Sequence, residues 1–325
     1  MSELQILSLM MPIFLPVAAG WLIVRINLLD ASNADVLSTL FLYVFAPPLI
    51  IVYLAKEDLA SLIEPRLIVA TVFLMLGLYG GLFMVHFVLL RRGLHVSAFA
   101  AFAGTKFNAI VIGFPVLFAT VRHHAIVTMT INVVIGYFTI LPLTLILANI
   151  SRSGGISGAA AGKMILSAVR KAITHPLVVT TILGLFLAGT AIHLPKWLDI
   201  TLRTLGEAAI PTALLGVGMS LSALSIGTNV ADIVWMSAAR MILSPVLAIF
   251  VAKLFELSSV FAIALVVSFS LPTAKMVLPL AIEHKTYVKQ SAGIIALTTA
   301  SLVAVWPVVI WTCERLWPGI VGGLG

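Results

Sequence analysis

The sequence is poor in charged residues and in cysteine, and each shortage narrows the class of protein. Only 10% of the 325 residues are charged, whereas 61% are hydrophobic. A soluble domain carries about 25% charged residues, so no soluble fold could hide this much apolar surface. The single cysteine, Cys313, excludes an internal disulfide framework. These shortages predict an integral membrane protein of a bacterial-type inner membrane.

Motifs for catalysis, metal binding and nucleic-acid binding are also lacking. The sequence has no G-x-S-x-G or H-E-x-x-H motif, and its seven histidines have no metal-ligand spacing. The net charge is +7, but the Lys and Arg residues do not form the cluster that a nucleic-acid surface needs. We therefore expect no enzyme, no catalytic residue, no metal site and no nucleic-acid partner.

Apolar runs long enough to cross a bilayer as helices are abundant. They lie near residues 4–24, 36–55, 67–90, 98–121, 124–150, 164–190, 200–222, 232–253, 258–282 and 288–313. The pattern predicts an all-α membrane protein with ten transmembrane helices. The lipid bilayer is its expected surrounding partner.

Three pairs of prolines indicate an internal duplication. The two members of each pair have the same separation along the chain: Pro12 and Pro176, Pro47 and Pro211, Pro115 and Pro279. Each half then has five spans, and an odd number makes the second half enter the membrane from the opposite side. The prediction is two inverted five-helix repeats, 1–150 and 164–325, joined by a cytoplasmic linker at 151–163. A general richness of membrane helices in proline remains the alternative.

Basic residues predict the orientation. The densest group of Lys and Arg surrounds the central linker, at Arg152, Lys163, Arg170 and Lys171. Because cytoplasmic loops are enriched in these residues, we expect both termini outside.

The fourth and ninth spans are each interrupted, and each carries a lysine, Lys106 and Lys275. Gly113 and Pro115 are the predicted breaks of span four, and those of span nine are Pro272 and Pro279. Inserting a central lysine costs roughly 2.5–3.5 kcal/mol, and such a charge is tolerated only where it lines a cavity or packs inside protein. The two broken spans therefore predict a binding site halfway across the membrane.

A small anion is the ligand that these residues favour. The N-termini of half-helices carry partial positive charge and can hold a carboxylate. Asn108 offers a donor and an acceptor, and Lys106 and Lys275 could neutralise a monoanion or a dianion. With Thr273, these residues form the predicted substrate-binding set.

Other interpretations of the charged residues remain open. Either lysine could point into a polar crevice, stand in for a bound sodium ion, or pair with Glu207. Glu207 could instead carry a proton, or lie at the water-facing start of span seven. Arg240 could mark the true start of span eight, and Asn132 is predicted to hydrogen-bond between helices.

Spans four, seven and nine carry short motifs. They are Asn108 followed by Gly113-x-Pro115, Pro211 with Gly216 and Gly218, and Leu271-Pro272-Thr273-Ala274 followed by the apolar stretch to Leu280-Ala281. These motifs resemble those of the auxin efflux carrier family, whose bacterial members include malonate-type transporters. The resemblance covers essentially the whole chain in length and span count. One departure is Ala109-Ile110-Val111-Ile112, where the family pattern has a glycine-bearing stretch.

This resemblance implies a fold similar to those of bile-acid symporters and sodium/proton antiporters. It implies a scaffold of spans 1, 2, 6 and 7 and a transport unit of spans 3–5 and 8–10. The implied function is secondary active transport of small organic anions, mono- or dicarboxylates of the malonate type, by alternating access. A cation exchanger coupled to sodium or protons, and an anion channel or sensor, are the alternatives. We expect no cofactor other than a coupling sodium ion or proton, and a homodimer is the candidate assembly.

Overall fold

The computed structural model describes residues 3–58, 62, 64–153, 158–190, 194–222 and 229–319. Every regular element in these ranges is a helix, so the prediction of an all-α protein is confirmed. In chain order the helices are α1 (Glu3–Arg25), α2 (Asn33–Leu54), α3 (Pro65–Leu89), α4 (Leu94–Thr105), α5 (Ala109–Val121), α6 (His124–Phe138), α7 (Ile140–Ser153), α8 (Gly158–Ile173), α9 (Pro176–Thr190), α10 (Lys196–Ser222), α11 (Val230–Leu254), α12 (Ser259–Phe269), α13 (Val277–Glu283) and α14 (Val288–Leu316).

Six helical stretches in the described ranges are long and apolar enough to cross a membrane, with α6 and α7 counted as one stretch, or seven if a bent pair also counts as one span. The bent pair is α8 and α9, which meet at an angle of 54° across the short break before Pro176. The remaining predicted spans correspond to shorter apolar helices, in α1, α4, α5 and α12. The chain is therefore a multi-pass membrane protein.

The predicted central linker is partly helical. Helix α7 continues to Ser153, and α8 already begins at Gly158, so both ends of the segment 151–163 are ordered as helix. Residues 154–157 lie outside the described residues. The division of the chain into two repeats at this linker stays a prediction.

Glycines allow α1 and α10 to pack with their backbones in contact. A Cβ atom at Gly20 would overlap the carbonyl of Leu215, and one at Gly218 would overlap the carbonyl of Val17. Small residues permit this approach between membrane helices. Gly20 and Gly218 therefore serve close packing between these two helices. Helix α2 packs on α9 and α10, so α1, α2, α9 and α10 form one group.

A second group of helices surrounds the two broken ones. Helix α4 packs against α3 and α7, and α12 packs against α6 and α11. Asn132 of α6 donates from Nδ2 to Ser268 Oγ of α12 over 3.1 Å, which confirms the predicted hydrogen bond between helices.

A buried carboxylate, that of Asp232, joins three segments of this group. Asp232 at the start of α11 accepts hydrogen bonds from Arg92 (2.7 Å), from the Tyr287 hydroxyl (2.6 Å) and from the Trp235 indole (3.0 Å). These partners come from the loop after α3, from α11 itself and from the residue preceding α14. A buried charge with this many donors joins the three segments rigidly.

Candidate functional site

Two helices end inside the fold, and the segments that interrupt them cross. Helix α4 ends at Thr105 and the chain becomes helical again at Ala109; α12 ends at Phe269 and α13 begins at Val277. The Asn108 N–H donates to the Pro272 carbonyl over 2.8 Å, and the Ala274 N–H donates to the Lys106 carbonyl over 2.9 Å. The segments 106–108 and 270–276 thus pair antiparallel, and we call this pairing the crossing.

Three of the four predicted break residues lie outside the crossing. Gly113 ends a π-helical turn, Ala109–Gly113, and Pro115 follows it within α5. Pro279 lies in the first turn of α13. A proline in the first turn of a helix costs no helical hydrogen bond, so α13 accommodates Pro279. Pro115 lies just after the π-helical turn, and α5 continues through it. Of the four residues, only Pro272 belongs to a break.

The C-terminal ends of α4 and α12 converge on the side chain of Arg240, which is fully buried in α11. Its guanidinium donates hydrogen bonds over 2.8–3.5 Å to the backbone carbonyls of Gly104, Thr105, Ser268, Phe269 and Leu271. It also lies 5.0 Å from the ring centroid of Phe107. Carbonyls at a helix C-terminus lack helical partners and carry partial negative charge. Arg240 therefore satisfies both helix ends with one fixed cation.

The alternative that Arg240 marks the start of span eight is wrong, because α11 begins ten residues earlier, at Val230. The sequence suggested a lysine as the stand-in for a bound cation, but the group that binds the helix C-termini is this arginine. The position of Arg240 inside an apolar run could have indicated this role, since ionisable residues inside a membrane span usually mark a functional site.

Lys106 lies at the crossing and is buried, with 6% of its surface exposed. Its ammonium lies 5.3 Å from the ring centroid of Tyr137. The space for this ammonium is made by Gly136, where a Cβ atom would overlap Nζ. Among the described residues the Lys106 ammonium has neither a hydrogen bond nor an ion pair. No described carboxylate neutralises it.

Lys275 lies in the crossing and points towards the other group of helices. Its ammonium donates to Ser220 Oγ of α10 over 2.6 Å and lies 3.8 Å from Asp35 Oδ1, near the start of α2. The suggested pairing of a lysine with Glu207 is wrong, because the carboxylate beside Lys275 is that of Asp35. The sequence pattern does not indicate Asp35, because this residue precedes the predicted start of span two.

A cavity of about 340 Å³ lies between α2 and the crossing. Its polar lining residues are Asp35, Ser38, Thr39, Tyr43, Lys106, Asn108, Tyr137 and Lys275. The first residues of α5, Ala109 and Ile110, also line it. The cavity therefore receives both lysines and the partially positive N-terminus of a half-helix.

Asn108 both caps α5 and faces the cavity. Its Oδ1 accepts a hydrogen bond from the Val111 N–H over 3.2 Å, which satisfies one of the free donors at the helix start. No described residue accepts from its Nδ2 group. The amide can therefore donate to a ligand, but its oxygen is already engaged.

Thr273 does not line the cavity. Its side chain is fully buried and donates to the Ala103 carbonyl over 2.9 Å, while its N–H donates to Thr298 Oγ1 over 3.1 Å. It holds the crossing against α4 and α14, because its hydroxyl satisfies a carbonyl in the last turn of α4.

Glu207 is remote from the crossing. It is exposed and lines a separate cavity of about 250 Å³ together with Arg122, Arg203 and Tyr53. A role for Glu207 as a proton carrier stays a prediction.

Comparison with known proteins identifies the family. Residues 5–312 match the sequence profile of a family described as "Membrane transport protein". The chain belongs to this family. It is the auxin efflux carrier family, so the resemblance found in spans four, seven and nine is confirmed. A family of transport proteins also confirms the prediction of a transporter rather than an enzyme.

A relative from Rhizobium meliloti (strain 1021) carries the name "Putative malonate transporter". It is 23% identical to this member of the family over 304 residues, which cover 92% of this chain and 93% of the relative. The likeness thus extends over the crossing and both groups of helices.

Proposed function

We propose that this protein is a secondary active carrier of small organic anions, mono- or dicarboxylates of the malonate type. The observation that carries the proposal is the buried, unneutralised ammonium of Lys106 in a cavity beside the N-terminus of a half-helix. An intramembrane cation without a partner favours an anionic ligand. The name of the Rhizobium relative points to the same substrate class.

The proposed architecture is ten spans in two inverted repeats of five. It is supported by the position of the two helix breaks, which fall in the fourth and ninth predicted spans and pair antiparallel. The packing of α1, α2, α9 and α10 as one group supports the scaffold of spans 1, 2, 6 and 7. Spans 3–5 and 8–10 form the transport unit in this proposal.

The proposed mechanism is alternating access, in which the transport unit moves against the scaffold. The cavity has scaffold residues from α2 on one side and the crossing on the other, so movement of the transport unit would carry a ligand held by Lys106 and Asn108 past the scaffold. Moving the bare Lys106 ammonium through the apolar barrier is costly, and a bound carboxylate would neutralise it. We therefore expect exchange of anions to be faster than net uptake.

We propose that sodium is not the coupling ion. In carriers with broken helices, a coupling cation binds at the carbonyls of the half-helix C-termini. Here the guanidinium of Arg240 donates to those carbonyls on both helices, which supports a fixed internal cation in place of sodium. A proton remains the candidate for coupling in a symport mechanism.

The location in a bacterial inner membrane, the external position of both termini and assembly as a homodimer complete the proposal. They rest on the distribution of basic residues and on the family resemblance.

Uptake of labelled malonate by purified protein in liposomes tests the proposal, under a sodium gradient, a proton gradient or neither. We expect uptake that is stimulated by unlabelled malonate inside the liposomes and indifferent to sodium. Because counterflow requires a carrier, malonate flux without counterflow would favour a channel, and sodium-dependent uptake would contradict the role given to Arg240.

A further inference from the structure

The cavity at the crossing contains an internal carboxylate as well as two ammonium groups. Among its described lining residues the charged ones are Lys106, Lys275 and Asp35, so these residues give the cavity a single net positive charge. Lys106 has no charged neighbour within ion-pairing distance among the described residues, whereas Lys275 lies 3.8 Å from Asp35 Oδ1. The two lysines are thus not equivalent towards an anion.

Asp35 is held loosely. Its side chain is 85% exposed, and no described side chain donates a hydrogen bond to its carboxylate at shorter range. Lys275 is held more firmly, by the hydrogen bond of 2.6 Å to Ser220. Because exposed ion pairs are weak, the Asp35 carboxylate can be replaced at Lys275 by another carboxylate.

We propose that Asp35 determines how many negative charges the substrate brings to the site. This inference rests on the proposed function as an anion carrier. With Asp35 beside Lys275, one substrate carboxylate binds at Lys106 and the cavity becomes neutral. A second substrate carboxylate competes with Asp35 for Lys275 and meets its repulsion. The wild-type site therefore favours anions with one carboxylate over dianions of the same size.

Malonate and its monoamide, malonamate, are matched probes of this selectivity. They have nearly the same shape, but a neutral amide replaces one carboxylate in malonamate. Their affinities for the purified full-length chain would be measured by calorimetry at a pH where both malonate carboxylates are ionised. The variants are Asp35→Asn and, as a control, Asp30→Asn, which changes an exposed carboxylate that does not line the cavity.

We expect Asp35→Asn to strengthen malonate binding by about fivefold relative to malonamate, because the competing charge is gone. The Asp30→Asn variant should leave the ratio of the two affinities unchanged. If Asp35→Asn binds both probes as the wild type does, with the same ratio of affinities, the proposed role of Asp35 is overturned and the proposed anion-carrier function is not. Binding of neither probe to the folded wild type would instead overturn the proposed malonate-type function, and this inference with it.

Discussion

Each face of the crossing has a buried cation, but only one of the two cations is hydrogen-bonded to described residues. On the face formed by the C-terminal ends of α4 and α12, the Arg240 guanidinium is fully buried, and five backbone carbonyls accept its hydrogen bonds. On the face that meets the N-terminus of α5, the Lys106 ammonium opens into a cavity and has no hydrogen bond or ion pair with a described residue. A buried cation whose donors are satisfied stabilises the fold, whereas one that lacks a partner is available to a ligand.

Removing the satisfied cation should have the largest effect. Arg240→Ala leaves converging carbonyls of α4 and α12 without donors, so we expect a loss of about 3–5 kcal/mol in the free energy of unfolding. The melting temperature in detergent measures it. If Arg240 occupies the place of a cation, added sodium should raise the melting temperature of Arg240→Ala more than that of the wild type. An equal rise in the melting temperatures of both proteins on adding sodium would contradict the claim that Arg240 occupies the place of a cation.

Removing the free cation should impair binding and spare the fold. Lys106→Ala should weaken malonate binding about 10- to 100-fold, which corresponds to the loss of one charged hydrogen bond of about 1.5–3 kcal/mol. The melting temperature should stay level or rise, because a buried charge without a partner is gone. Calorimetry and thermal unfolding measure the two effects. The matched control is Lys253→Ala, at an exposed lysine outside the cavity, and equal binding losses in both variants would contradict the assignment.

Moving the free cation without removing it should have the smallest effect. A methyl group at position 136 would overlap the Lys106 ammonium, so Gly136→Ala should displace that ammonium and weaken malonate binding by about tenfold at most. Gly77→Ala is the control, since a Cβ atom there meets open space. Competition with labelled malonate measures both affinities, and wild-type affinity in Gly136→Ala would show that the position of Lys106 is unimportant.

The sequence was sufficient to predict the parts of the site that lie within one interrupted segment. Lys106 and Asn108 stand out because a charge and an amide interrupt an apolar run, which is rare without a functional reason. The helical class follows equally from local composition. These features need no knowledge of which helices are neighbours in space.

The features that depend on tertiary contacts could not be predicted in this way. The partner of Lys275 is Asp35, which is distant in sequence and lies before the predicted span, so no local pattern links them. Thr273 was predicted to bind the substrate, but its hydroxyl donates a hydrogen bond to the Ala103 carbonyl instead. The breaks were attributed to Pro115 and Pro279, but α5 continues through Pro115 and α13 accommodates Pro279 in its first turn. The helices end earlier, at Thr105 and Phe269, and the segments that follow them pair antiparallel.

Restoring the positive charge at position 106 by chemical modification tests the central claim most directly. In Lys106→Cys, an ethylammonium thiosulfonate reagent attaches a positive group and an ethylsulfonate reagent attaches a negative one, while the native Cys313 is fully buried. Malonate binding should be weak in the unmodified variant, recover with the ethylammonium group and stay weak with the sulfonate. Equal binding after either modification would contradict the claim that the cation at position 106 holds the anion.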